Sequence, residues 1–191
     1  MLNIPLVDVI VSPRESILDR ARELGMVPAV EQATSTAYAA EVELGVFDEV
    51  SELVRALTPD DLGTVHVRAH RRGVKVWFGP AVPPKEHYEA QLLSRRYVDG
   101  TDGMAIEIGF HAEHRDLDAN AAVIDRVSKS EDEWRSILGD EPEIAPFYGA
   151  DNWRRVSEAW IEPDLDDPEI AFEVASRLVD YLAAIEAARR A

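Results

Sequence analysis

The chain has 191 residues, of which 46% are hydrophobic and 30% are charged, and its formal net charge at pH 7 is −17. The absence of cysteine excludes disulfide bonds, thiolate catalysis and cysteine-ligated zinc or iron–sulfur centres. The negative charge disfavours binding to nucleic acids and anionic membranes, because the long-range field repels polyanions. With no run of 18 apolar residues and no signal-peptide pattern, we expect a cytoplasmic protein, either a monomer or a homodimer.

Residues 1–63 are predicted to form a helical N-terminal segment. A capping-box pattern opens a first helix over residues 12–25, which ends at a glycine. Apolar residues at helical spacing then predict helices over residues 28–44 and 47–57. Residues 58–63 carry another helix-start pattern that a glycine stops after about one turn.

Residues 64–191 are predicted to form an α+β sheet domain, continuous with the helical segment in one compact unit. The apolar period changes from 3.6 to 2 at residue 64, which indicates half-buried strands. Short links between these strands favour an antiparallel meander, with Gly73 supplying a positive φ in the first turn. The predicted strands are residues 65–70, 74–78, 87–97 and 104–111, with a turn at residues 99–103.

The last third of the chain is predicted to return mainly to helix. Residues 117–127 and 130–138 are two helix candidates, and the strongest helix begins at Asp167-Pro168. Residues 153–161 are predicted to form a further strand. The expected fold is therefore an antiparallel sheet of about four to five strands with helices packed on one face.

Residues 64–98 form a basic island in this acidic chain. They contain seven lysines and arginines against only two glutamates, together with three of the five histidines. We expect an anionic small molecule or a protein partner to bind here, on the polar face of the sheet. The candidate ligand-binding residues are His66, Arg68, His70, Lys75, Trp77, His87, Glu89, Gln91, Arg95, Glu107 and His111.

Two short motifs suggest metal chemistry without establishing it. His111-Ala112-Glu113-His114 places two imidazoles three residues apart, and in a strand such positions point to opposite faces. Glu89-Ala90-Gln91 is similar to the Glu-x-Lys element of metal-dependent nucleases, with glutamine in place of lysine. We therefore assign no metal ligands from the sequence and expect no cofactor.

Strand alternation and helix order together carry one family resemblance, at residues 106–110, 120–127, 134–139, 147–160 and 166–169. On this pattern, residues 87–188 resemble a bacterial C-terminal domain of unknown function that is often attached to nuclease-like or restriction-associated regions. The resemblance implies an accessory or recognition role and transfers no catalytic residue. The helical N-terminal third, with no nuclease core, departs from that family.

Three functional classes follow from these observations. The leading hypothesis is a non-catalytic binding or accessory module whose basic sheet face holds an anionic ligand or partner. The alternative is a metal-assisted hydrolase, or nuclease-like enzyme, that uses histidine and glutamate side chains of the same face. The third is an acidic interaction module that binds a basic protein through its surface charge.

Overall fold

The computed structural model describes residues 36–81, 84–97 and 103–190. The helix predicted at residues 12–25 lies outside these ranges, as do the start of the second predicted helix and residues 99–102 of the predicted turn.

Along the chain, the described residues form a helix, four strands, two helices, two more strands and a final helix. Short 3₁₀ helices at Asp60–Leu62 and Arg95–Tyr97 connect some of these elements. In chain order, the elements are α1 (Thr36–Leu57), β1 (Val65–His70), β2 (Gly73–Phe78), β3 (Glu86–Leu93), β4 (Ala105–Ala112), α2 (Leu117–Ser128), α3 (Glu131–Leu138), β5 (Glu143–Phe147), β6 (Ala150–Ile161) and α4 (Ile170–Arg190).

The strands form one antiparallel sheet in the order β1-β2-β3-β4-β6-β5. The predicted antiparallel meander is confirmed for the first four strands, and β6 joins the sheet beside β4. The sheet has six strands instead of four to five, because β5 was not predicted. Strand β5 is a five-residue edge strand that contains Pro146, and proline in a short run argues against a strand when only the sequence is known.

The hydrophobic core lies between one face of this sheet and the helices. Helix α4 packs against β3 and β4, and α1 packs against α4 and β1. Helices on one face of an antiparallel sheet are the α+β architecture that the sequence predicts. None of the described helices is long and apolar enough to cross a membrane. The buried sheet residues on the helix side include Val74, Val76, Tyr88, Ala90, Ile106, Ile108, Phe110 and Val156.

Two predicted boundaries were wrong. The helices predicted to end at Leu44 and to begin at Phe47 belong to the single helix α1, which passes through Gly45. A glycine inside a helix costs only about 1 kcal/mol, which the burial of Phe47 and Val50 readily offsets. Strand β3 ends at Leu93, and the residues predicted to extend it instead form the 3₁₀ helix Arg95–Tyr97.

Glycine residues serve two different purposes in the sheet domain. Gly63 has a φ of 92°, which confirms the predicted helix stop. Gly73 was predicted to supply a positive φ, but it is an ordinary strand residue of β2. A Cβ atom on Gly73 would lie 2.4 Å from the carbonyl oxygen of Ala90, so the glycine is required because β2 and β3 approach closely there.

A buried ion pair joins the sheet to α4. Glu158 of β6 accepts hydrogen bonds from the Arg177 guanidinium, from the Tyr181 hydroxyl at 3.1 Å and from the Trp160 indole at 2.7 Å. The Glu158 side chain is only 7% exposed, so its negative charge depends on these donors.

We expect Glu158→Gln to lower the free energy of unfolding by about 3 kcal/mol, because it removes the nearest counter-charge of Arg177, whose side chain is only 16% exposed. The matched control is Glu52→Gln, which breaks an exposed pair with Arg55 and should change stability by less than about 0.5 kcal/mol. Urea denaturation of both variants measures the difference. Equal losses would show that the Glu158 pair contributes no more than a surface pair.

Candidate functional site

Strands β3 and β4 bring together polar residues that are distant in the chain. In their register, His87 pairs with His111 and Gln91 pairs with Glu107, while Glu89 pairs with Gly109. Alternate residues of a strand share one face, so all of these side chains lie on the face opposite the helices. Five of the predicted site residues therefore meet at one place, although the sequence left the register of β3 open.

Four side chains on this face converge on one point, and we call them the His–Glu cluster: His87, Glu89, His111 and Glu113. Their nearest nitrogen and oxygen atoms all lie within 4.8 Å of one another. Glu89 Oε2 is 3.3 Å from His87 Nε2 and 3.5 Å from His111 Nδ1. Glu113 Oε1 is 3.7 Å from His87 Nε2 and 3.9 Å from His111 Nδ1.

A second layer of side chains orients His111. Its Nε2 atom is hydrogen-bonded to Glu107 Oε1 at 2.8 Å, and Gln91 Nε2 donates to Glu107 Oε2 at 3.2 Å. The opposite ring nitrogen, Nδ1, is buried and has no hydrogen-bond partner. The Glu107 contact thus fixes the ring so that an unsatisfied nitrogen points into the His–Glu cluster.

Burial and charge act against each other in the cluster. Burial lowers the pKa of His87, which favours its neutral form. Burial would raise the pKa of Glu89, but contacts with His111, His70 and His87 outweigh it and hold that pKa well below its usual value. Burial would likewise lower the pKa of His111, but the Glu107 and Glu89 carboxylates raise it to about 10.

Lys75 supplies a positive charge at the edge of the cluster. Its ammonium group lies 3.0 Å from both His87 Nε2 and Glu89 Oε2, and 3.8 Å from Glu113 Oε2. His70, another of the predicted site residues, has its Nε2 atom 2.9 Å from Glu89 Oε1. Lys75 and His70 are therefore both directed toward carboxylates.

The remaining predicted residues of β1 and β2 form a separate stack. The rings of His66 and Trp77 are stacked with centroids 5.4 Å apart, and the Arg68 guanidinium lies 5.7 Å from the Trp77 ring centroid. The Trp77 indole donates to the carbonyl oxygen of Pro80. Arg95 begins a 3₁₀ helix, and its side chain lies outside the described part of the structure.

Glu113 is the cluster member that the sequence analysis missed. It lies two residues after His111 and six after Glu107, so continued strand alternation would have placed it on the same face. The structure also places His114 apart from His111, as the strand geometry predicts, since His114 Nε2 is 3.2 Å from Glu86 Oε1. In the His111-Ala112-Glu113-His114 motif, the residues that share the cluster are therefore His111 and Glu113, two positions apart, and not His111 and His114, three positions apart.

Residues of strands β5 and β6 pack beside His111. The Phe147 ring lies edge-on to His111 with centroids 5.0 Å apart. Arg155 donates to Ser157 Oγ at 2.8 Å and to Glu143 at 3.0 Å. A Cβ atom on Gly109 would lie 2.2 Å from Ser157 Cβ, so only glycine allows β4 and β6 to approach so closely between Glu107 and His111.

Comparison with protein-family models, with curated proteins and with solved structures gives no match for this chain. The resemblance to a bacterial C-terminal domain stays a prediction, and function is inferred here from the geometry of the site.

Proposed function

We propose that this chain is a metal-binding protein in which His87, Glu89, His111 and Glu113 hold one divalent ion. The observation that carries the proposal is the spacing of their donor atoms. Four of the separations between nitrogen and oxygen atoms run from 3.3 to 3.9 Å. A tetrahedron with metal–ligand bonds of about 2.1 Å has edges of about 3.4 Å, so one ion fits between these donors after small adjustments.

The unsatisfied nitrogen of His111 supports the same conclusion. A buried polar atom without a hydrogen-bond partner is unfavourable, and a metal ion would bind Nδ1 in place of the proton that the nearby carboxylates favour there. The Glu107 contact to Nε2 has the form of the carboxylate–histidine–metal arrangement that orients imidazole ligands. The Glu107 contact would thus orient His111 so that its Nδ1 atom faces the metal.

The donor set indicates the class of metal. Imidazole and carboxylate ligands together suit Zn²⁺ and neighbouring first-row ions, whereas Mg²⁺ and Ca²⁺ prefer oxygen ligands alone. Charge favours a cation over an anion at this point, because the Glu89 and Glu113 carboxylates converge on it and the Glu107 carboxylate lies behind the His111 ring. An anionic ligand at the cluster, as first expected from the basic residues, would meet these carboxylates.

We expect Zn²⁺ to bind the wild-type protein and to raise its free energy of unfolding by about 2.7 kcal/mol when free Zn²⁺ is 100-fold above Kd. His111→Gln removes one ligand and should abolish this stabilisation, whereas His66→Gln removes a histidine outside the cluster and should preserve it. Calorimetric titration and thermal melts with and without chelator measure both effects.

Circular dichroism establishes that His111→Gln is folded. Glu113→Gln, at the less buried edge of the cluster, provides a second test and should weaken Zn²⁺ binding at least tenfold, which corresponds to about 1.4 kcal/mol. Equal Zn²⁺ affinity in wild type, His111→Gln and Glu113→Gln would contradict the proposal.

Lys75 competes with the metal in this arrangement, because its ammonium contacts the same atoms of His87 and Glu89. We expect Lys75→Met to lower the free energy of unfolding in chelator by about 2 kcal/mol and to tighten Zn²⁺ binding about tenfold. The control Lys129→Met, at an exposed position, should change neither quantity.

If Lys75→Met lowers stability in chelator and also tightens Zn²⁺ binding, Lys75 competes with the metal and does not merely make a structural contact. A Lys75→Met protein that is less stable but binds Zn²⁺ no more tightly than wild type would show that Lys75 and the metal do not share a position.

Metal-assisted hydrolysis is a second candidate function, favoured by the unequal burial of the four ligands. The Glu113 side chain is 15% exposed, while those of His87, Glu89 and His111 are 1%, 3% and 0% exposed. Catalytic zinc sites keep one coordination position for water, and the Glu113 side is where solvent would enter. The three buried ligands would then hold the ion while it lowers the pKa of that water.

For this candidate, we expect Zn²⁺-loaded protein to hydrolyse p-nitrophenyl acetate or bis(p-nitrophenyl) phosphate above the rate of free Zn²⁺. Chelation and His111→Gln should abolish the activity, and His66→Gln should retain it. If Zn²⁺ binds but the rate equals that of free Zn²⁺ on both esters, the hydrolase candidate fails while the metal-binding proposal stands.

A further inference from the structure

A cavity of about 330 Å³ lies where the end of β3 and the following 3₁₀ helix meet the β5–β6 turn. Arg72 and Arg96 contribute positive charge to its wall, and Gln91 and Ser94 contribute further polar groups. Tyr97 and Tyr148 add aromatic surface. Its volume falls at the lower end of the range for small-molecule sites, about 300–1,000 Å³.

The charge of this cavity differs from that of the chain as a whole. The protein has 37 acidic residues against 20 lysines and arginines, yet no aspartate or glutamate is among the described residues that line the cavity. No carboxylate in the described part of the chain forms an ion pair with Arg72 or Arg96 either. In the His–Glu cluster, by contrast, the basic side chains are directed toward carboxylates.

Specific contacts hold the wall of the cavity in place. Arg72 Nη2 donates to the carbonyl oxygen of Leu92 at 3.1 Å, and the guanidinium has further N–H groups that can donate to a ligand. The Arg96 guanidinium lies 4.5 Å from the Tyr97 ring centroid. Gly149 has a φ of 72°, and a Cβ there would lie 2.8 Å from Tyr97 Cε1, so the β5–β6 turn packs closely on this ring.

We propose that this cavity binds a small organic molecule through an oxyanion group, carboxylate or phosphate. Arginine presents planar N–H groups that match both kinds of oxyanion, and the two tyrosine rings offer a surface for a compact organic body. A macromolecular polyanion is disfavoured by the net charge of −17, which acts at long range, whereas a small anion enters the local field of Arg72 and Arg96. The proposed ligand is thus an anion, as the basic island predicts, but it would bind in this cavity instead of at the His–Glu cluster.

The cavity does not depend on the proposed metal, although the two sites share a wall. Gln91 lines the cavity and donates to Glu107, the residue that orients His111. Phe147 also lines the cavity, and its ring contacts His111. Binding to the cavity is therefore measured in chelator, where the metal proposal has no influence on the outcome.

The test is calorimetric or NMR titration of the full chain, in chelator and low salt, with phenyl phosphate, benzoate and inorganic phosphate. We expect phenyl phosphate or benzoate to bind more tightly than inorganic phosphate, with an affinity that falls as salt is raised. Arg72→Gln and Arg96→Gln should each weaken binding at least tenfold. Arg71→Gln is the matched control, since it removes the same charge from the adjacent residue, which does not line the cavity.

Three results would overturn the proposal. One is the absence of binding by all three probes. Another is an equal loss in Arg71→Gln and Arg72→Gln, which would indicate a general charge effect. The third is equal affinity for inorganic phosphate and phenyl phosphate, which would show that the organic part of the ligand does not contribute to binding. Because Zn²⁺ binding is measured separately, failure of the metal centre and failure of the anion cavity are distinguishable.

Discussion

The register between β3 and β4 determines both faces of the sheet. A shift of one residue would turn His87 and Glu89 toward the helices and Tyr88 toward the opposite face. The helix side holds the register in place, because the Tyr88 ring packs against Phe110 and its hydroxyl donates to Glu186 of α4 at 2.9 Å. Apolar packing on one side of the sheet therefore positions the His–Glu cluster on the other.

We infer that the cluster is more than a network of ion pairs that stabilises the sheet. In a purely structural network, the buried polar groups satisfy one another, since an unsatisfied group is unfavourable. Here Lys75 and His70 do stabilise the buried Glu89, yet the Nδ1 atom of His111 is left without a hydrogen bond in the middle of four converging donors. That combination explains why we infer a coordination site, with Lys75 as the intrinsic cation that an added ion must displace.

Much of the fold could be predicted from local pattern. The alternation in β1, β2 and β4 and the apolar stripe of α4 each repeat over a whole element, so each fixes which side chains share a face. The register of β3 could not be predicted, because Tyr88, Ala90 and Leu92 are as apolar as a buried face requires while Leu93 lies on the other one. Only contacts with residues that are distant in the chain decide which face of β3 turns toward the helices.

The candidate site was predicted in part for the same reason. His87, Glu89 and His111 were expected together on the polar face only for one of the two registers of β3, because their convergence depends on how β3 pairs with β4. Glu113 lies just past the last residue of β4, where alternation no longer has a strand to support it. Lys75 was correctly placed on the polar face, but charge counting cannot show that it contacts Glu89 instead of solvent.

The two proposed sites would influence each other through their shared wall. A divalent ion beside His111 would add positive charge behind Gln91 and Phe147, and this charge would attract an anion in the cavity. Because binding free energies are linked, any factor by which the metal tightens the anion is the factor by which the anion tightens the metal. The Gln91–Glu107–His111 chain provides a direct route for this coupling, since an oxyanion that takes the Gln91 N–H changes the carboxylate that orients the histidine. The ion and the anion would interact only across this wall, because the cavity lies on the Glu107 side of His111 while the ion would bind at the opposite ring nitrogen.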